Sequence, residues 1–188
     1  MFKLIKKKYI IKIPEEFQVI YCNTKNIIVF LKNNQKQVLK LKVKIVLIPN
    51  KNLIVVTNIP DFVGLKNSKN LQGMTVAVIK QKLVEMSYML FTKLKFVGVG
   101  YRVFSYQKFK NQVYFKLGYS HLIYFSIPIH LNVFCQKFTK MFIYGNTSYN
   151  LLTQVASQIR FCRAPEIYKG KGILYHQEKI ILKKGKKV

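Results

Sequence analysis

Residues 160–188, RFCRAPEIYKGKGILYHQEKIILKKGKKV, combine the side chains of this sequence that are best suited to bind phosphate. Arg160 and Arg163 offer forked guanidinium groups that can each bind two phosphate oxygens. In YKGKG (168–172), glycine lets backbone N–H groups turn toward an anion, and lysine adds charge. Tyr168 could stack on a base or a ribose. A solvated basic turn can have the same spacing, and the GxxxxGK[ST] pattern of nucleotide-binding loops is absent.

A second candidate is the stretch KFVGVGYRVF (95–104). As one continuous strand it places Gly98 and Gly100 on the same face as Arg102, so that another backbone could approach there beside a cation. A bulge or a tight bend, which glycine merely permits, explains the pattern equally well. The residues that a continuous strand would place on the opposite, core face are Val97, Val99, Tyr101 and Val103.

The sequence offers little for acid–base or metal chemistry. It has six acidic residues, three histidines and three cysteines, and none has the spacing of a catalytic pair or a metal cluster. The histidines His121, His130 and His176 have no Cys or Asp beside them. We therefore expect no catalytic residue, no metal, no cofactor and no small-molecule substrate. The scattered cysteines are expected to be reduced, buried thiols.

The formal net charge is +27, and the basic residues are spread over both halves of the chain. Because 50% of the residues are hydrophobic, this is a charged folded body rather than a disordered tail. Such a charge favours a large polyanion as partner, most simply a nucleic acid. The alternatives are a peripheral membrane-surface protein and a free-standing nucleic-acid-binding protein. The first would concentrate its charge on one helix, and a DNA-binding protein would carry a basic recognition helix. No apolar run is long enough for a bilayer span, and we expect no membrane partner.

The hydrophobic pattern of the first half predicts strands and then a helix. The turn 23–26 separates two strands of a hairpin, and residues 36–48 alternate lysine with apolar residues. The predicted strands are 17–22, 27–31, 36–48 and 53–57. The helix is predicted near 72–91, where Val76, Ile79, Leu83, Met86 and Leu90 recur at helical spacing.

The second half repeats this order. Its predicted strands are 94–104, 112–118, 121–127, 129–135 and 140–145, and its predicted helix lies near 149–163. Asn146, Thr147 or Ser148 could cap that helix. The economical fold is α+β, with two tandem similar domains at 1–92 and 93–188. Each would be a small antiparallel sheet packed with one helix, and a basic C-terminal extension would follow.

Three segments carry a family resemblance: LKFVGVGYR, LGYSH and QVASQIRFCRAPEIYKGKGILY. Their order and spacing resemble the universal ribosomal large-subunit protein six (the L-six family). The resemblance implies two α+β domains of common origin that bind large-subunit rRNA near the sarcin–ricin loop and the stalk base. It implies neighbouring ribosomal proteins as partners, and translational GTPase factors nearby. It also assigns most of the RNA contact to the C-terminal domain.

The resemblance carries over to individual residues. The RNA-facing strand of the family matches Gly98, Gly100, Tyr101 and Arg102, and its Ser-His pair matches Ser120 and His121. Its terminal loop matches Arg160, Arg163, Pro165, Glu166, Tyr168, Lys169, Gly170, Lys171 and Gly172. Nearby lysines are added to the expected rRNA-binding set for their charge: Lys93, Lys95, Lys183, Lys184, Lys186 and Lys187. The chain departs from the family at Leu122 and Ile167, where proline is usual, and at Leu174, where arginine is usual.

The abundance of Lys, Ile, Asn, Phe and Tyr, and the absence of Trp, indicate an AT-rich genome. The basic start MFKLIKKKYIIKIP has too short an apolar run for a signal peptide and lacks the Arg and Ser of a transit peptide. We therefore expect a mitochondrial matrix ribosome as the location. A plastid and the cytoplasm of an AT-rich bacterium are the alternatives.

Overall fold

The computed structural model describes residues 9–33, 35–57, 65–105, 111–146 and 148–185. The chain forms two compact units, Met1–Ser87 and Tyr88–Val188. In the described residues of each unit, antiparallel strands accompany one α-helix. The predicted α+β class is confirmed.

In the described part of the first unit, the strands form two three-stranded antiparallel sheets, in the orders β2-β3-β4 and β1-β6-β5. The strands are β1 (Ile10–Lys12), β2 (Gln18–Cys22), β3 (Ile27–Lys32), β4 (Gln35–Lys40), β5 (Ile45–Ile48) and β6 (Leu53–Val56). Helix α1 (Leu65–Ser87) buries Val76, Ile79, Leu83 and Met86 in the core, as the helical spacing predicts. It begins earlier than predicted because its first turns, LKNSKN, carry no apolar periodicity. The helix ends before Leu90, which begins a strand of the second unit, so the assignment of Leu90 to the helix was wrong.

The predicted strand 36–48 is divided between the two sheets of this unit. Pairing ends at Lys40 and resumes at Ile45. The alternation of burial continues through the gap, since Leu41 and Val43 are buried. The prediction of a single strand was therefore wrong, although its assignment of these apolar residues to the core was right.

Strands β7 to β13 and helix α2 form the second unit. One sheet has the order β10-β9-β8 and the other the order β11-β12-β7-β13. The strands are β7 (Leu90–Val97), β8 (Arg102–Ser105), β9 (Gln112–Lys116), β10 (Ile123–Ser126), β11 (Asn132–Gln136), β12 (Lys140–Gly145) and β13 (Gly172–Tyr175). Helix α2 (Tyr149–Cys162) packs across β7, β12 and β13. Sequence patterns indicated neither β1 nor β13, which are short and lie outside the clear periodic runs.

Helix α2 follows the sequence prediction closely. Its buried face is Leu152, Val155, Ala156 and Ile159. Ser148 is the N-cap, and its Oγ accepts a hydrogen bond from the N–H of Leu151 at 3.4 Å. The alternative cap Thr147 lies outside the described residues. The helix places Arg163 just beyond its last turn, where the candidate site begins.

Candidate nucleic-acid interface

The chain turns sharply at Gly98–Gly100, so the predicted continuous strand 94–104 was wrong. Gly98 has a φ of +156° and Gly100 a φ of +72°, and the N–H of Tyr101 donates to the Gly98 carbonyl oxygen at 3.3 Å. Val97 and Val99, expected in the core, are exposed, the latter at 86%. The alternative interpretation, a tight bend that glycine permits, is the one that the structure adopts.

The ring of Tyr101 explains why this bend needs glycine. Tyr101 is buried, as predicted, and its ring lies against Gly98 and Gly118. A Cβ on Gly98 would come within 2.8 Å of that ring, and one on Gly118 within 3.2 Å. The absence of a Cβ on Gly98 therefore leaves room for the Tyr101 ring, and it does not leave an open face for another backbone. Gly100 has open space around it.

Arg163 joins three segments that are far apart in the sequence. Its guanidinium carbon lies 4.7 Å from the centroid of the Tyr119 ring, and Tyr119 Oη donates to the Cys162 carbonyl oxygen at 3.3 Å. His121 stacks on Tyr119 with ring centroids 5.7 Å apart. Hydrogen bonding to Tyr119 and then to Tyr101 raises the pKa of Arg163. The end of α2, the 98–101 turn and the 118–121 turn thus form one cation–aromatic cluster, which we call the Arg163 cluster.

The loop 163–172 is held by its own backbone. The N–H of Glu166 donates to the Lys171 carbonyl oxygen at 2.9 Å, and the N–H of Gly170 donates to the Glu166 carbonyl oxygen at 3.0 Å. Gly170 has a φ of +67°, which a glycine adopts without strain. The Gly170 N–H is therefore used inside the loop, whereas the sequence suggested that it could face a phosphate. The side chains of Tyr168 and Lys169 are exposed, and Lys171 is half-buried.

Strand β13 fixes this loop beside the glycine turn. Gly172 pairs with Val97, the residue before Gly98, and the N–H of Ile173 donates to the Arg163 carbonyl oxygen at 2.9 Å. Leu174 stands where arginine is usual in the family that the sequence resembles, and it is almost fully buried. The predicted terminal loop, glycine turn and Ser-His turn therefore lie around one end of the second unit.

Arg160 forms an ion pair inside the domain. Its Nη2 lies 2.6 Å from Glu178 Oε1, and its Nε donates to Glu178 Oε2 at 3.2 Å. The same Glu178 Oε2 accepts the N–H of Tyr175 at 3.1 Å, and the guanidinium lies 5.6 Å from the Tyr175 ring centroid. The sequence placed Arg160 with the phosphate-binding residues. In the structure both of its forked donors already bind Glu178, a residue that sequence reasoning did not select.

Curated relatives decide the family, although no family model matches the chain. It is 34% identical over 148 residues to "Large ribosomal subunit protein uL6m" of Prototheca wickerhamii, covering 74% of this chain and 71% of that protein. It is 35% identical over 147 residues to "Large ribosomal subunit protein uL6" of Chloroherpeton thalassium, covering 78% of each. The protein of the same name from Malacoplasma penetrans is 42% identical over 121 residues, or 64% of each chain. This chain belongs to the uL6 family. The resemblance seen in the sequence is confirmed.

The remaining predicted residues of this uL6 chain lie around the two sheets of the second unit. Arg102 begins β8 and is exposed, and Ser120 and His121 are exposed in the turn after β9. Lys93 and Lys95 lie on the half-buried face of β7 that points away from α2. Of the remaining loop and tail residues, Pro165 is half-buried, and Glu166, Lys183 and Lys184 are exposed. Lys186 and Lys187 lie outside the described residues.

Within the described ranges, no three or more His, Cys, Asp or Glu side chains form a group that could hold a metal. In the same ranges, no helix combines the length and the apolar character that crossing a membrane requires. The cysteines are free, but Cys22 is exposed, so the expectation of uniformly buried thiols was wrong. Burial raises the pKa of Cys135 to about 11.

The ion pair of Arg160 leads to a prediction for this uL6 member. Hydrogen bonding from Arg160 holds the pKa of Glu178 below its ordinary value. The stabilisation is therefore present above the unfolded pKa of about 4.3 and lost as the pH falls through the lower folded value. We expect Glu178→Gln to lower the free energy of unfolding at pH 7 by about 1–2 kcal/mol. The reason is that the two charge-assisted hydrogen bonds between Arg160 and the Glu178 carboxylate are replaced by a hydrogen bond to a neutral amide.

Denaturant unfolding at pH 7 and at a series of pH values below about 4.3, with hydrogen exchange of the Tyr175 amide at pH 7, measures this effect. The stability difference between wild type and variant should shrink as the pH falls through the folded pKa of Glu178. Glu16→Gln is the matched control, since it removes the pair with Lys32 in which the Glu16 side chain is 69% exposed. An equal loss in both variants, or no faster exchange at Tyr175, would contradict the role of Glu178.

Proposed function

We propose that this chain is a structural constituent of the large ribosomal subunit and that it binds large-subunit rRNA. The convergence of the terminal loop, the 98–102 turn and the 118–121 turn at Arg163 carries the proposal. Family membership supports it, because the relatives bear the names of large-subunit proteins. The net charge of +27 supports a polyanionic partner of large size.

In this proposal the lysines supply charge attraction to the RNA, and the residues held at fixed positions set its register. Lys169 and Lys171 attract phosphates without regard to sequence, and their effect weakens with salt. Arg163 is held on Tyr119, and exposed Tyr168 and His121 offer aromatic faces, so these residues set the register of the RNA. The backbone hydrogen bonds of the loop lower the entropy lost when RNA binds, because the loop is already ordered.

The expected position is near the sarcin–ricin loop and the base of the stalk, with neighbouring ribosomal proteins and translational GTPase factors close by. We propose a non-catalytic role, in which the protein shapes RNA and carries out no reaction. The names of the relatives support this role, since each names a ribosomal protein.

We propose a mitochondrial ribosome as the location. The Prototheca wickerhamii relative has a name ending in "m", while the other relatives reported above are bacterial. The AT-rich composition supports an organelle as well. Fractionation of organelles separates this location from a plastid and from a bacterial cytoplasm.

Sedimentation of native lysate, with and without a high-salt wash, tests the ribosomal role. We expect the protein to stay with the large subunit through the wash, because a shaped interface outlasts purely non-specific phosphate contacts, which weaken steeply with salt. A peak away from ribosomes, or complete loss at high salt, would overturn the proposal and leave a loosely held nucleic-acid or membrane-surface binder.

A further inference from the structure

The four-stranded sheet of the second unit has an open face, on the side away from α2. Side chains alternate across it, so that Leu94, Phe96, Met141 and Ile143 are buried against the helix side. By cross-strand pairing, the opposite side also carries Leu174 of β13 beside Lys95, and Leu174 is almost fully buried. What we call the open face is therefore the part of that side on β11, β12 and β7: Phe91, Lys93, Lys95, Asn132, Phe134, Gln136, Lys140, Phe142 and Tyr144.

Aromatic rings lie in a row across this face. Phe134, Phe142 and Lys93 are directly paired across three neighbouring strands. The rings of Phe134 and Phe142 have centroids 6.3 Å apart, and Lys93 Nζ lies 4.9 Å from the Phe142 centroid. Phe91 is 67% exposed and Phe134 is 57% exposed. Ring faces of this kind, in contact with water, form a surface on which another flat group can stack.

The same face is strongly basic. Lys95 pairs with Lys140 on the neighbouring strand, and Lys93 lies one row away. His176 lies beside these residues, and burial, followed by the charges of Lys93, Lys95 and Lys140, lowers its pKa. The strand segments that form the face contain no Asp or Glu. A protein partner is disfavoured because the cores of protein interfaces are depleted of lysine, whereas a polyanion complements this charge.

We propose that the open face binds an unpaired RNA strand, with bases stacked on Phe134 and Phe91 and phosphates bound by Lys93, Lys95 and Lys140. The strand must be unpaired, because the bases of a duplex are stacked on each other and cannot reach the rings. This inference rests on the proposed function for the identity of the partner as RNA. It adds a second surface, on a different part of the second unit from the Arg163 cluster.

Binding of a short oligoadenylate to the full chain tests the stacking. We expect Phe134→Leu to weaken binding at least about fivefold, the loss of one base–aromatic contact. Phe91→Leu is a second variant with the same expectation, and because both side chains are more than half exposed, both variants should fold. Phe161→Leu is the matched control: Phe161 is 85% exposed on α2, which packs against the other side of the sheet.

The salt dependence of oligoadenylate affinity distinguishes the contribution of the lysines from that of the aromatic rings. Lys93→Gln with Lys140→Gln should reduce the slope of log affinity against log salt by about 1.4, or about 0.7 per phosphate contact on a single strand. Phe134→Leu should leave that slope unchanged. Lys40→Gln with Lys42→Gln, at exposed positions in the first unit, controls for bulk charge and should change the slope less.

The proposal is overturned if both phenylalanine variants bind oligoadenylate like the wild type, or if Phe161→Leu weakens binding equally. It is also overturned if Phe134→Leu weakens binding of an RNA duplex as much as binding of the unpaired strand, or if it impairs only assembly with other ribosomal proteins. The oligoadenylate assay needs no ribosome. Failure to sediment with the large subunit, with the phenylalanine effect intact, therefore counts against the ribosomal role alone.

Discussion

Gly172→Ala is expected to lower the free energy of unfolding by roughly 2–4 kcal/mol and to disorder the terminal loop. A Cβ at this position would lie 2.5 Å from Pro165 Cα, 2.8 Å from Pro165 N and 2.9 Å from the Ala164 carbonyl oxygen. These atoms are backbone, so no side-chain rotation relieves the contact. Gly172 also has a φ of +149°, a conformation that alanine rarely adopts.

The consequence extends to binding because Gly172 begins β13, and β13 places the terminal loop beside the glycine turn. Chemical denaturation measures the stability, and sedimentation of the variant with the large subunit measures binding. We expect both to fall together. Gly73→Ala is the matched control, since Gly73 lies exposed in α1 with open space around its Cα. It should stabilise by up to about 1 kcal/mol, because alanine favours a helix.

A Gly172→Ala variant as stable as the wild type would show that the 163–172 loop can shift away from β7 at little cost. The packing of Pro165 on Gly172 would then have no structural role. Loss of stability without loss of binding would instead separate β13 from the RNA interface.

Reversing the charge of Lys169 and Lys171 together should lower the affinity for the large subunit at least about tenfold. In the proposed interface, each Lys→Glu change would remove one phosphate contact and add repulsion from a phosphate, and one such charged hydrogen bond contributes about 1.5–3 kcal/mol. The fold should be unaffected, because Lys169 is exposed and the loop is held by backbone hydrogen bonds of Glu166 and Gly170. Competition with wild-type protein during subunit assembly measures the loss.

The matched control is Lys40→Glu with Lys42→Glu, which reverses two exposed charges at the same spacing in the first unit. It changes the net charge equally but leaves the terminal loop intact. An equal loss of affinity in the control would mean that bulk charge governs binding. Normal incorporation of the Lys169 and Lys171 double variant would remove the terminal loop from the interface.

Local patterns in the sequence were enough for much of the fold. The hairpin of β2 and β3 follows from two apolar runs around a polar turn, and α2 follows from helical spacing between Ser148 and Pro165. Such patterns are reliable because burial of one face is a local property of a strand or helix. The motifs around Gly98, His121 and Lys169 likewise identified the family from the sequence before any geometry was known, and the relatives confirmed it.

The sequence could not divide residues 36–48 between two sheets. Alternation reports which side chains are buried, and it continues from Leu41 through Ile45 while the pairing partner changes. The pairing of strands depends on contacts between residues that are far apart in the sequence. Local periodicity does not report these contacts. The sequence pattern did not predict the short strand β13 for a related reason, since its pairing with β7 is non-local.

The roles of Arg160 and Gly98 were also decided by tertiary structure alone. The sequence grouped Arg160 with the phosphate-binding residues for its guanidinium, but only folding brings Glu178 within 2.6 Å of it. Two glycines in a strand-like run allowed an open face or a bend, and the ring of Tyr101 settled the choice in favour of a bend. The sequence by itself determined the charge, both helices, most of the strands and the family of this protein. Which cations are paired internally and which remain exposed depended on packing between distant segments, because a side chain's partner is fixed only when the chain has folded.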